Sequence, residues 1–164
     1  MNYIEEIKTW TATKFERYGD PWTRFEKDGE IVEIADGASI GDGASIGDGA
    51  SIGDGASIGD GASIGSRASI GDGASIGYGA SIGDGASIGY GDKFLTLGPL
   101  GSRRSMLTAV CKKDASILFF TGCFKGNEDV FLKAVESNHG NNAFAVEYRA
   151  AVEFCHKIFE VKHV

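Results

Sequence analysis

Between Ala38 and Gly91 the hexapeptide Gly-Asp-Gly-Ala-Ser-Ile recurs with few errors, and isoleucine returns at 40, 46, 52, 58, 64, 70, 76, 82 and 88. Few folds accept such a stretch. Side chains alternate along a strand, so Ala-Ser-Ile read as a short strand puts Ala and Ile on one face and Ser on the other. Gly-Asp-Gly is then a turn, because Gly takes positive φ without steric cost and Asp bonds to nearby backbone amides. Two Gly in every repeat would cost a helix roughly 2 kcal/mol relative to Ala. Turns this frequent exclude long strands. A short strand and a turn repeated at constant length stack into a parallel β-solenoid, with like residues in ladders.

The repeating unit (Ile, Gly, any, any, Ala, any) resembles the hexapeptide repeat of left-handed β-helix proteins, the superfamily of trimeric acyltransferases and carbonic-anhydrase-like proteins, from about Ile34 to Leu100. The resemblance implies a mainly β chain whose left-handed parallel β-helix closes one triangular coil with every three hexapeptides. In that frame Ile34, Ile52, Ile70 and Ile88 form one column, Ile40, Ile58, Ile76 and Phe94 a second, and Ile46, Ile64, Ile82 and Leu100 a third. The calcium-binding nonapeptide roll has the wrong period. The expected organisation is an N-terminal cap over 1–33, the solenoid over 34–100 and a small ββαα segment over 101–164.

The core of such a solenoid, stacked Ile and Ala, is thin, so end caps and self-association are expected to add burial. The resemblance implies a homotrimer. The net charge of −7 comes from the repeats, since residues 34–92 hold eight Asp and one Arg while the rest balances. An acidic, patterned surface argues against non-specific binding to nucleic acid or anionic membrane. Cys111, Cys123 and Cys155 form no metal-like pair and read as reduced, buried thiols. No run approaches a membrane span, and Glu5, Glu6 and Lys8 stand where a signal peptide needs apolar residues, so a cytoplasmic location is expected.

In the cap, Ile4, Ile7, Thr11, Phe15 and Tyr18 line a helical face, yet the Thr and aromatic residues of Lys8–Tyr18 suit a strand; both readings stay open. Asp28-Gly29 marks a hairpin turn, and Trp10 and Trp22 are expected to pack in the cap rather than form a stacking platform. Three departures from the repeat stand out: Ser66-Arg67 replaces Asp-Gly, and Tyr78 and Tyr90 replace Asp. Arg67 falls beside the column Asp48, Ser66, Asp84, where a guanidinium offsets repulsion between stacked carboxylates. Both tyrosines are expected to pack under the segment that follows. The Asp ladders offer oxygen ligands to a hard cation such as calcium, but Asp is already explained by the turn.

After the repeats the charge reverses. Lys93 to Lys125 carries six bases against the single acid Asp114. Met106–Cys111 and Ser116–Thr121 read as a hairpin, and Gly122–Gly126 leads into Asn127, the N-cap of a helix ending near Gly140. A second helix, about Asn142–Glu160, has Phe144, Tyr148, Ala151, Val152, Cys155, Ile158 and Phe159 on one face. The tail's pattern of Gly-Ser-Arg, Leu-Thr-Ala, Thr-Gly-Cys-Phe-x-Gly, His-Gly-x-Asn and Glu-Tyr-Arg-Ala-Ala resembles the tails of short hexapeptide-repeat proteins of bacteria and their phages. That resemblance brings no known reaction.

Acyl transfer in the resembled superfamily needs a His base, and zinc chemistry needs three, but no His lies between Ile34 and Leu100. The chain's three are His139, His156 and His163, and His139 at a helix C-terminus reads as dipole-stabilising. The loop Ser102-Arg103-Arg104 offers backbone amides and two guanidinium forks to a phosphate or carboxylate. The expected function is therefore that of a non-enzymatic, oligomeric binding protein without a cofactor. Its candidate ligand residues are Ser102, Arg103, Arg104, Arg67, Tyr78 and Tyr90. Its partner is an anionic small molecule, including a nucleotide signal sequestered as a phage protein would, or a host protein. An acyl-CoA-dependent acyltransferase and a purely structural trimeric module are the alternatives.

Overall fold

The computed structural model describes residues 2–160. The chain forms two compact units, one ending at Asp92 and the other beginning at Lys93. The first is built on nine two-residue Ser-Ile strands: β5 (Ser39–Ile40), β6 (Ser45–Ile46), β7 (Ser51–Ile52), β8 (Ser57–Ile58), β9 (Ser63–Ile64), β10 (Ser69–Ile70), β11 (Ser75–Ile76), β12 (Ser81–Ile82) and β13 (Ser87–Ile88). They stack in parallel as three ladders, so that Ile34, Ile52, Ile70 and Ile88 are neighbours, as are Ile40, Ile58 and Ile76, and Ile46, Ile64 and Ile82. Apart from Ile40 at the first rung, these isoleucines are buried. Ser lies on the outer side, half or fully exposed.

The two glycines of a turn do different work. Gly55 has φ +62, a conformation that L side chains rarely adopt, whereas a Cβ on Gly53 would overlap the turn of the next coil at Asp72. Aspartate acts over a longer range than a simple turn former. Asp60 Oδ1 accepts from the Asp42 amide at 3.2 Å, Asp72 Oδ1 from Asp54 at 3.0 Å, and Asp84 Oδ1 from Ser66 at 2.8 Å. Each carboxylate thus ties its coil to the preceding one. The same bonds bring a partial positive charge to each of these carboxylates within the acidic stack.

The cap holds both a helix and strands. Strand β1 (Asn2–Tyr3) runs antiparallel to β6, and the single-turn helix α1 (Ile4–Ile7) buries Ile4 and Ile7. Strands β2 (Thr11–Arg17), β3 (Asp20–Lys27) and β4 (Glu30–Ala35) form a meander, with β4 as the first rung beside β7. The hairpin at Asp28-Gly29 falls as expected. Trp10 and Trp22 are buried, and the Arg17 guanidinium lies 4.6 Å from the Trp22 ring centre. Both tryptophans are packing residues of the cap.

The second unit is a four-stranded antiparallel sheet, β14 (Lys93–Leu100), β15 (Ser105–Cys111), β16 (Ile117–Thr121) and β17 (Phe124–Asn127), with helices α2 (Glu128–His139) and α3 (Ala143–Glu160). Two expectations are corrected here. Phe94 and Leu100 do not extend the isoleucine columns: they pair with Val110 and Ser105 of β15. Leu95 and Leu97 pack on the cluster of Leu107, Ala109, Phe119 and Phe131. β14 and β17 flank the expected hairpin, so the unit is ββββαα and not ββαα.

Asn127 caps α2 by accepting from the Val130 amide at 3.0 Å, and Asn142 caps α3 through the Ala145 amide at 3.1 Å. The helices cover the sheet face that carries Leu107, Ala109, Ile117 and Phe119. Tyr148, Ala151, Val152 and Cys155 are buried as expected, but Phe144 and Ile158 lie at the edges of that face and stay partly exposed.

Candidate functional site

The Gly101–Arg104 turn between β14 and β15 is held from α3. Gly101 donates its amide to Glu147 Oε2 at 2.8 Å, and a Cβ at this position would overlap the Tyr148 hydroxyl. Its φ of +67 also favours glycine. The Arg104 amide closes the turn on the Gly101 carbonyl at 3.1 Å. Ser102, Arg103 and Arg104 are exposed.

Beside this turn lies an open pocket of about 500 Å³. Its lining comes from four places: Ser102, Arg103 and Ser105; Thr121 to Phe124 at the β16–β17 turn; Phe131, Ala134, Val135, Asn138 and His139 of α2; and Tyr148 of α3. No carboxylate is among them. Arg103 Nη1 lies 3.9 Å from Cys123 Sγ. The Tyr148 hydroxyl is pushed above its ordinary pKa by burial and then by the negative charge of Glu147, with Arg103 opposing, so it stays protonated at neutral pH. The His139 ring stacks on Tyr148 at 5.8 Å and meets Phe144 edge-on at 5.9 Å. The pocket therefore presents one cation and several neutral donors over an apolar floor.

The structure divides the residues singled out from the sequence. Ser102 and Arg103 line the pocket; Arg104, though adjacent, does not. Arg67, Tyr78 and Tyr90 belong to the first unit, on three different edges of the coil: Arg67 above Gly49, Tyr78 in line with Asp42 and Asp60, and Tyr90 in line with Asp54 and Asp72. They form no common site there. Arg67 takes the positive-φ position of the turn, at +57. Tyr78 is 86% exposed and Tyr90 67%, against the expectation that both are covered; the Tyr90 ring lies over Gly73 of the coil before it.

Residues 31–66 match the family described as bacterial transferase hexapeptide (six repeats). No curated protein and no solved structure matches the chain. With three parallel ladders in register and that match together, the fold of the repeats is settled. It is a hexapeptide-repeat left-handed β-helix of about three turns. Hexapeptide-repeat proteins commonly form trimers. No helix among the described residues is long and apolar enough to cross a membrane. Outside the hexapeptide solenoid, the histidines are placed by the second unit: His139 ends α2, and His156 Nε2 meets Glu128 Oε2 at 2.6 Å. His163 lies outside the described residues.

The cysteines differ from one another. Cys155 is buried and its thiol is pushed up to about 11 by burial, as an inert core residue should be. Cys123 is exposed at the pocket, against the expectation of burial. Thr121, Cys123, Phe124, Asn138 and Tyr148 were not read as site residues from the sequence. Their signal was the paired turns, Thr-Gly-Cys-Phe after a strand and Asn-His-Gly after a helix, which only folding brings together.

Proposed function

We propose that the protein is an oligomeric binding protein whose C-terminal unit takes up a small anionic molecule at Arg103. The observation that carries this reading is the pocket lined by Arg103, Ser102, Ser105 and Thr121 and by no acid. A guanidinium fork and hydroxyl donors in a partly enclosed, apolar site bind phosphate or carboxylate more strongly than they do in open water. Arg104 supports the site through local potential and not through contact. The solenoid holds no histidine to serve as the base that the resembled acyltransferases use, which counts against acyl transfer from the coils. The repeats serve as the assembly scaffold, their thin Ile/Ala core supplemented by packing between copies in a trimer.

Thermal unfolding with added inorganic phosphate tests the reading. At a hundredfold excess over its dissociation constant a bound anion stabilises by about 2.7 kcal/mol. Arg103→Ala is expected to abolish that rise with an unchanged circular dichroism spectrum. Absence of any rise for the parent with phosphate or with phosphate-bearing small molecules would leave the structural-module reading in its place.

A further inference from the structure

We infer that the occupant of this pocket is a nucleoside monophosphate, its phosphate at Arg103 and its base against α2; the inference rests on the anion reading above. The lining combines two chemistries. Arg103 stands with the hydroxyl-bearing Ser105 and Thr121, a donor set for a tetrahedral anion. The last turn of the twelve-residue helix α2 also lines the pocket, and its backbone carbonyls give a negative partial charge that disfavours an anion beside them. A neutral group belongs there. Asn138 donates one N–H to the Ala134 carbonyl at 2.8 Å, which leaves its side-chain oxygen as an acceptor and its second N–H as a donor for the edge of a ring.

The walls and the size agree with that orientation. Phe124 and His139 line the pocket and are both only partly buried, which leaves aromatic surface for a flat ring to meet. About 500 Å³ lies within the range that holds a small organic ligand, and a lone phosphate would leave the apolar part of the lining unfilled. Stacking of a base on an aromatic side chain is a recurring source of affinity in nucleotide recognition.

Calorimetric titration of the full chain with adenosine 5′-monophosphate, ribose 5-phosphate, inorganic phosphate and adenosine tests this. The expected order is the monophosphate nucleotide first, at least about tenfold tighter than ribose 5-phosphate or phosphate. His139→Ala is expected to weaken the nucleotide about fivefold or more while leaving phosphate unchanged, and Arg103→Ala to remove all three phosphate-bearing probes. If ribose 5-phosphate and phosphate bind the parent as tightly as the nucleotide, the anion site stands and the nucleoside inference is overturned. If no phosphate-bearing probe binds, or adenosine binds as tightly as its monophosphate, the anion reading itself falls.

Discussion

Replacing the turn aspartates separates their hydrogen bonding from their charge. Asp60, Asp72 and Asp84 each accept from a backbone amide of the coil before them, at 3.2, 3.0 and 2.8 Å, on three different edges of the solenoid. Asparagine keeps an acceptor oxygen at the same place and removes the charge; alanine removes both. The amides are exposed and regain water when the partner is lost, so each Asp→Ala change is expected to cost about 0.5–1 kcal/mol. Sites on separate edges add, which gives about 1.5–3 kcal/mol for the triple alanine variant. For a chain of this size that is a fall in melting temperature of roughly 3–12 °C. The triple asparagine variant is expected to melt within about 2 °C of the parent, because the repulsion lost between Asp42 and Asp60 and between Asp54 and Asp72 offsets the weaker neutral acceptors. Differential scanning calorimetry with and without EDTA reads both. Equal losses for alanine and asparagine, or a large fall with EDTA, would show that the carboxylate charge or a bound cation, and not the inter-coil hydrogen bond, holds the rungs.

Other consequences are as direct. Burial raises the pKa of Glu33, but its hydrogen bonds and charge pairing with Arg24 and Arg17 outweigh it and hold the carboxyl below its ordinary value of 4.5. A depressed folded pKa gives stability that is present above the unfolded value and lost as pH falls through the folded one. The parent is therefore expected to lose stability on acidification below about pH 4.5, and Glu33→Gln to flatten that part of a stability-against-pH curve measured by urea unfolding. Thiol labelling of the native protein is expected to modify Cys123 first, Cys111 more slowly and Cys155 only on unfolding, as followed by peptide mass spectrometry. Gly101→Ala places a methyl group on the Tyr148 hydroxyl at a positive φ and is expected to cost about 2–3 kcal/mol in chemical denaturation.

The repeats were legible because their information is local and redundant. One hexapeptide states the strand, the turn and the face, and the period of Ile fixes the register without any distant partner. Local spacing does not decide where one segment chooses between neighbours: Phe94 and Leu100 keep the spacing of the columns, yet Lys93–Leu100 pairs with β15. Spacing alone does not weigh that competition. Aspartate was read as a local turn former because the amide it reaches belongs to the preceding coil, eighteen positions away.

The candidate site was legible only at Ser102 and Arg103. Arg103 is distinguished from Arg104 by direction, which a turn with Gly101 at φ +67 and Arg104 at φ +50 decides and a list of residues does not. Thr121, Cys123, Asn138 and Tyr148 come from three further places in the chain, and their convergence depends on the β16–β17 turn, whose second strand the sequence pattern does not announce.

The central claim is that a small anion binds at Arg103. Amide chemical-shift mapping of the isotopically labelled chain during titration with inorganic phosphate tests it at the level of single residues. The expected result is saturable shifts confined to the 101–105 and 121–124 turns and the end of α2, absent in Arg103→Ala. No shifts, or shifts centred on Arg67, Tyr78 and Tyr90 of the solenoid, would contradict it.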